Sequence, residues 1–214
     1  MNKLNFALIS LLAAAGNAAA YDISYTNLRS ADATAVPVID NAGVAIAGGS
    51  GYVASGFFSG TPSIEAIRGG EFTLFGNMPS TAFANGEGNI AGFFDLSGSE
   101  PIPAGTTDGN VGRAIFVVIG NGGDLATSDE FAVIDAGAVV GTENAAGQGS
   151  TAVIIDQDFI TTSNLVVGNL ATDVNTGLAV TFNEGIQLVP VPEPSTALFG
   201  ALAALGFAGR RRRA

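Results

Sequence analysis

Carboxylates are the plentiful chemical groups in this chain. Nineteen Asp and Glu face eight Lys and Arg across 214 residues, and Cys, His and Trp are absent. Losing His and Cys removes the commonest general base, the commonest transition-metal ligand and the thiolate nucleophile. The acids cluster in segments rich in turn-forming residues: Asp108-Gly109-Asn110, Asp124, Asp129-Glu130 and Asp156-Gln157-Asp158. Calcium (Ca2+) is the ion that takes clustered Asp and carbonyl oxygens in such places. Asp156 and Asp158 are the candidate pair, because residues two apart on an extended chain project to one side. None of these segments reproduces the twelve-residue calcium loop. Paired carboxylates also hydrolyse glycosides at the right separation, but no glycosidase signature is present. The expectation is a body that is not an enzyme and holds no cofactor, with calcium at Asp156 and Asp158 as the alternative.

Two glycine-rich stretches resemble nucleotide loops and fail on spacing. In "VVIGNGGDLA" (117–126) Gly120 and Gly122 stand correctly, but Leu125 takes the place of the third glycine. Another strand-like run begins at Glu130, which leaves no room for the helix a dinucleotide fold requires. In "GTENAAGQGST" (141–151) five residues separate Gly141 from Gly147, and Gln148 stands where a phosphate loop has lysine. Residues 21–190 contain no lysine at all and only Arg29, Arg68 and Arg113 as bases, against 18 acids, a formal charge of −15. Such a body repels phosphate backbones, so nucleic acid is excluded as a partner. Glycan stacking has few platforms: the tyrosines are Tyr21, Tyr25 and Tyr52, and most phenylalanines fall inside strand-like runs.

The elements that would position these groups read as short strands. The chain is 47% hydrophobic and 13% charged, the profile of a packed domain rather than a disordered one. Apolar runs of mostly 6–8 residues recur at 22–28, 51–58, 71–76, 89–96, 113–120, 130–136, 151–156, 163–170 and 177–182, separated by Gly, Asn, Asp and Ser. This pattern predicts an all-β fold, an antiparallel β-sandwich of jelly-roll or Ig-like type, or a related barrel. One short helix is expected in "TPSIEAIRGG" (61–70), with Thr61 as N-cap, Pro62 at the first helical position, Glu65 in the first turn and Gly69-Gly70 at the end. A short turn is expected at 125–128, and "SGSEPIPAGTTDGNVG" (97–112) reads as a long surface loop. Ala114 to Gly120 is apolar at seven consecutive positions, which means a strand covered on both faces. Either the helix or a loop covers its outer side, or an oligomer interface does.

The two ends differ from the body. Lys3, the apolar stretch from Phe6 to Ala15 and the small residues Ala18-Ala19-Ala20 have the form of a secretory signal helix, with cleavage after Ala20. At the other end Ala197 to Gly209 is an uncharged run of 13 residues, followed at once by Arg210, Arg211, Arg212 and Arg213. The run falls short of the ~20 residues of a full span, while the arginines resist translocation. Upstream, Pro190, Pro192 and Pro194 hold the chain extended.

Pro192-Glu193-Pro194-Ser195, a short hydrophobic transmembrane helix and a terminal arginine cluster together resemble the PEP-CTERM sorting signal of Gram-negative bacteria. The resemblance covers residues 191–214. It implies that an exosortase, a membrane protease-transpeptidase, recognises the Pro-Glu-Pro motif and removes the tail after the general secretion machinery has exported the chain. The cargo, tethered transiently to the inner membrane, then reaches the cell surface or extracellular matrix. The expected organisation is therefore a signal peptide (1–20), a β-rich domain (21–189) and a sorting segment (190–214). The expected role is structural or adhesive; the alternative is a carbohydrate- or calcium-binding module acting on exopolysaccharide.

Overall fold

The computed structural model describes residues 19–27, 34–47, 50–75, 91–102, 112–140 and 148–192. The expected signal helix and C-terminal helix, together with the glycine stretch 141–147, lie outside them. Among the described residues the chain is all-β, in three sheets with one short helix.

The largest sheet carries β3 (Tyr52–Phe58), β4 (Phe72–Leu74), β6 (Ala114–Gly120), β7 (Glu130–Val139), β9 (Leu165–Val167) and β12 (Val189–Pro190). Its order is β12-β7-β6-β3-β4, with β9 also on β7, and every pairing is antiparallel. A second sheet, β5-β1-β8, joins β1 (Ala19–Thr26) antiparallel to β5 (Asp95–Ile102) and parallel to β8 (Gln148–Ile154). The third, β10-β11-β2, joins β11 (Thr181–Gln187) antiparallel to β10 (Asn169–Asn175) and parallel to β2 (Val38–Ile39).

The continuous apolar run of β6 is explained by its central place. Ile115, Val117 and Ile119 enter the main core with Val53, Phe57 and Ile134. Phe116 and Val118 face the other way, into a second cluster with Tyr52, Ile64, Ile67, Phe131 and Val133. The helix α1 (Ile64–Arg68) supplies Ile64 and Ile67, so it covers the outer side of the sheet. Within β3, Gly56 permits the approach of β4: a Cβ there would collide with the Thr73 carbonyl and the Phe72 ring.

α1 is capped by Ser63, not Thr61. Ser63 is extended (φ −162°, ψ 168°) and its hydroxyl accepts the Ala66 amide at 3.0 Å. Pro62 consequently precedes the cap instead of opening the helix, because Ser63 is the hydroxyl within reach of the third helical amide. The glycine pair ends the helix as expected. Gly70 adopts φ +77°, its amide bonds to Ile67 O (3.2 Å), and the Glu71 amide returns to Ala66 O (2.8 Å). This is a Schellman closure.

The expected loop at 97–112 is strand as far as Ile102. β5 pairs with β1 along its whole length, from Thr26 opposite Asp95 to Ala19 opposite Ile102. A ladder of backbone bonds needs no apolar side chains, and Pro101 is tolerated because β5 is an edge strand. The expected run at 89–96 supplies core from irregular chain: Phe93 and Phe94 are buried ahead of β5. Likewise 177–180 is a turn, closed by the Gly177 amide on Asn175 Oδ1 (2.8 Å), and β11 starts only at Thr181.

Asn27 ties the end of β1 to two other segments. It is 1% exposed; its amide nitrogen donates to Val36 O and Gly92 O, both at 2.9 Å, and its oxygen accepts the Phe94 amide at 2.7 Å. Two residues earlier Tyr25 is buried against Ser55, and burial lifts its hydroxyl well above the usual tyrosine range despite that hydrogen bond.

Candidate functional site: the docked strap before the C-terminal prolines

The last strand delivers the chain to the proline-rich segment along a shelf built by α1, β7 and the loop before β7. That loop is "GNGGDLATSD", the stretch that imitates a dinucleotide motif, and its glycines serve packing. The Gly122 amide donates to Ser128 Oγ (3.0 Å), and a Cβ on either Gly120 or Gly122 would strike residues 127–128. Asp124 closes the expected turn at 125–128, accepting the Thr127 amide (2.6 Å) and hydroxyl (2.7 Å). These bonds from Thr127 hold the Asp124 carboxyl below the usual carboxylate range. Asn121 Oδ1 takes the amides of Asp129 (3.0 Å) and Glu130 (3.1 Å), fixing the start of β7.

Arg68 locks the helix to this loop. Its guanidinium donates to the carbonyls of Leu125 (3.2 Å), Ala126 (2.8 Å) and Ser128, and lies 5.5 Å from the Phe131 ring centroid. Arg113 behaves similarly, donating to Phe58 O at 3.3 Å with its guanidinium 4.7 Å from the Phe57 ring centroid. These two positive charges of the acidic body thus hold carbonyls and rings of the fold.

On this shelf the chain leaves the body. Leu188 is fully buried and its amide bonds to Ile39 O (2.9 Å). Val189 pairs with Phe131 and Pro190 with Glu130, and the Val191 amide donates to Asp129 O (2.7 Å). Val189 and Val191 pack partly buried on the second cluster, while Pro190 and Pro192 are exposed. Pro192 and Val191 border a pocket of about 420 Å³ whose other wall is Ile64, Glu65 and Arg68 of α1. Proline is accommodated at position 190 because β12 lies at a sheet edge.

Of the expected sorting residues, Pro192 is the last one described. Glu193, Pro194, Ser195 and Arg210 to Arg213 lie outside the described residues, as does Ala18. Ala20 is the second residue of β1, opposite Pro101 and Gln148, so cleavage after it would leave Tyr21 to Thr26 in the ladder.

The geometry expected of Asp156 and Asp158 is corrected. β8 ends at Ile154, and the chain turns at 157–159 instead of staying extended. Asp156 is 6% exposed, and its carboxylate accepts the amides of Asp158 and Phe159, both at 3.1 Å. Asp156 therefore caps a turn, and Asp158 is exposed beyond it. Among the described residues no group of three or more His, Cys, Asp or Glu is placed to hold a metal ion. Nor is any described helix long and apolar enough to cross a membrane.

Sequence reasoning missed the docking of Val189 to Pro192 on the body, and no local signal carries it. The contacts come from residues about 60 to 130 positions away in the chain. Three prolines in five residues indicate only an extended chain.

Comparison with known proteins bears on this end of the chain. No curated protein and no solved structure matches it. A family model described as the PEP-CTERM protein-sorting motif matches residues 190–213. That span begins on the docked strap and includes the Pro-Glu-Pro residues, the apolar run and the arginines. The motif implies export, transient membrane anchoring and processing by an exosortase. The chain carries a C-terminal PEP-CTERM sorting motif.

Proposed function

We propose that the processed chain is a non-enzymatic, structural or adhesive component of the cell surface or exopolysaccharide matrix of a Gram-negative bacterium. The observation that supports this reading is a sorting motif attached to a β-body whose described polar side chains largely serve the fold. Asp124 and Asp156 cap turns, Asn27 bridges three segments, and Arg68 and Arg113 hold carbonyls. The strongly acidic body suits an extracellular role in which repulsion keeps copies soluble until they meet a partner.

A second reading, a module that binds polysaccharide directly or through calcium, draws on the exposed acids at the turns, Asp158 among them. Titration of the processed protein with polysaccharide from its own bacterium, with and without calcium, separates the two. The structural reading expects no saturable heat or shift in either condition. Saturable binding that disappears on chelation would replace it with the calcium-dependent module.

A further inference from the structure

The start of the sorting motif is bound to the body. β12 pairs with β7, the Val191 amide is spent on the Asp129 carbonyl, and Val189 and Val191 pack against the cluster that holds Ile64 and Ile67 of α1, while Pro192 lines one pocket with Ile64, Glu65 and Arg68. Pro192 follows the docked Val191 directly in the sequence and opens the Pro-Glu-Pro motif, so no residue separates the two.

Two physical consequences follow. An enzyme that grips an extended segment does so through its main-chain groups and alternate side chains, and on this strap β7, Asp129 and α1 already occupy part of both. Reach is also short. Five residues separate the docked Val191 from Ala197, where the uncharged run begins, and they span at most about 18 Å. A folded body of about 170 residues has a radius of gyration of about 15 Å, so the docked body crowds the membrane face where the enzyme works. Detaching the strap as far back as the buried Leu188 lengthens the free chain to eight residues, or at most about 29 Å. A two-residue edge strand and two partly buried valines open locally without global unfolding.

We propose that the strap Val189–Pro192 gates processing: docked on β7 and α1 it withholds the motif, and the tail is removed only from the undocked form. This rests on residues 190–213 being a working sorting signal.

The test follows tail loss from the full-length precursor in its own bacterium by pulse-chase. One variant inserts a six-residue Gly-Ser linker between Val191 and Pro192, freeing the motif from the strap. The other, Val191→Asp, places a charge on the apolar shelf beside Glu65 and undocks the strap itself. Both should lose the tail roughly threefold faster or more, because a reaction confined to a minor competent form is slowed by that form's population. No acceleration in the linker variant overturns the gate. Acceleration by the linker but not by a folded Val191→Asp also overturns it, in favour of plain crowding at the membrane. Alanine at Pro192, Glu193 and Pro194 together is the control; tail loss there at the normal rate would sink the sorting premise instead.

Discussion

Replacing Pro192, Glu193 and Pro194 together by alanine leaves the precursor in the membrane with its arginine tail intact. Tail removal should slow by on the order of a hundredfold or more, because a site built around a charged group is left with unpaired polar groups when that group is removed. The triple change also restores amide hydrogens and helical propensity to a segment in which proline disfavours helix. The body should be unaffected, since Leu188, Val189 and Val191 keep their partners. Fractionation followed by mass measurement reads this directly: full-length chain in the membrane, little at the surface. Normal surface delivery of the triple variant would mean that the motif is not what the machinery reads.

Asn27→Ala is expected to destabilise the body by about 3 kcal/mol. It leaves the buried Phe94 amide and Val36 carbonyl without their side-chain partner and opens a small cavity. Losing a buried hydrogen-bond partner costs roughly 1–3 kcal/mol per group. The Gly92 carbonyl is spared the full penalty because the Val38 amide also bonds to it at 2.8 Å. For a body of this size the loss corresponds to a melting point lower by roughly 6–12 °C. Asn27→Asp separates hydrogen bonding from packing. It keeps the shape and the bond from Phe94 but offers Val36 and Gly92 no donor and buries a charge, so it should cost at least as much. Urea unfolding of the processed chain measures both. A loss below about 1 kcal/mol for either variant would show that the junction of β1 with residues 36–38 and 92–94 is not held through Asn27.

The parts of the fold that were legible in the sequence are those with local causes. Seven apolar residues in a row forced β6 into the middle of a sheet, and the glycine pair after Arg68 ended α1 by its own backbone freedom. The cap moved from Thr61 to Ser63 because two hydroxyls and a proline competed within three residues, and only geometry decided which reached the Ala66 amide. β5 was hidden because its pairing with β1 depends on backbone groups, while its side chains have the polarity of a loop. β2 and β12, with two residues each, are too short for any periodicity to register. Asp156 and Asp158 share one side only on an extended chain, and the turn at 157–159 removes that basis.

The site followed the same division. The sorting motif is a run of residue types in one stretch, so the sequence contained all of it. Its attachment to the body is tertiary, made by α1 and β7 from far along the chain, and only the structure shows that the motif starts on a docked strap. Arg68 illustrates the point: in sequence it is one of three bases in an acidic body, and in the fold it joins the helix to the loop beside that strap.

Removal of both ends, leaving the β-body to work outside the cell, is open to a direct test. The direct measurement is the intact mass of the protein recovered from the native cell surface and medium. The expected mass is that of a chain starting at Tyr21 and ending near Pro192-Glu193-Pro194, with any surplus belonging to attached glycan or lipid. A surface form whose mass still includes Arg210 to Arg213 would contradict it, because the tail would then be a lasting anchor.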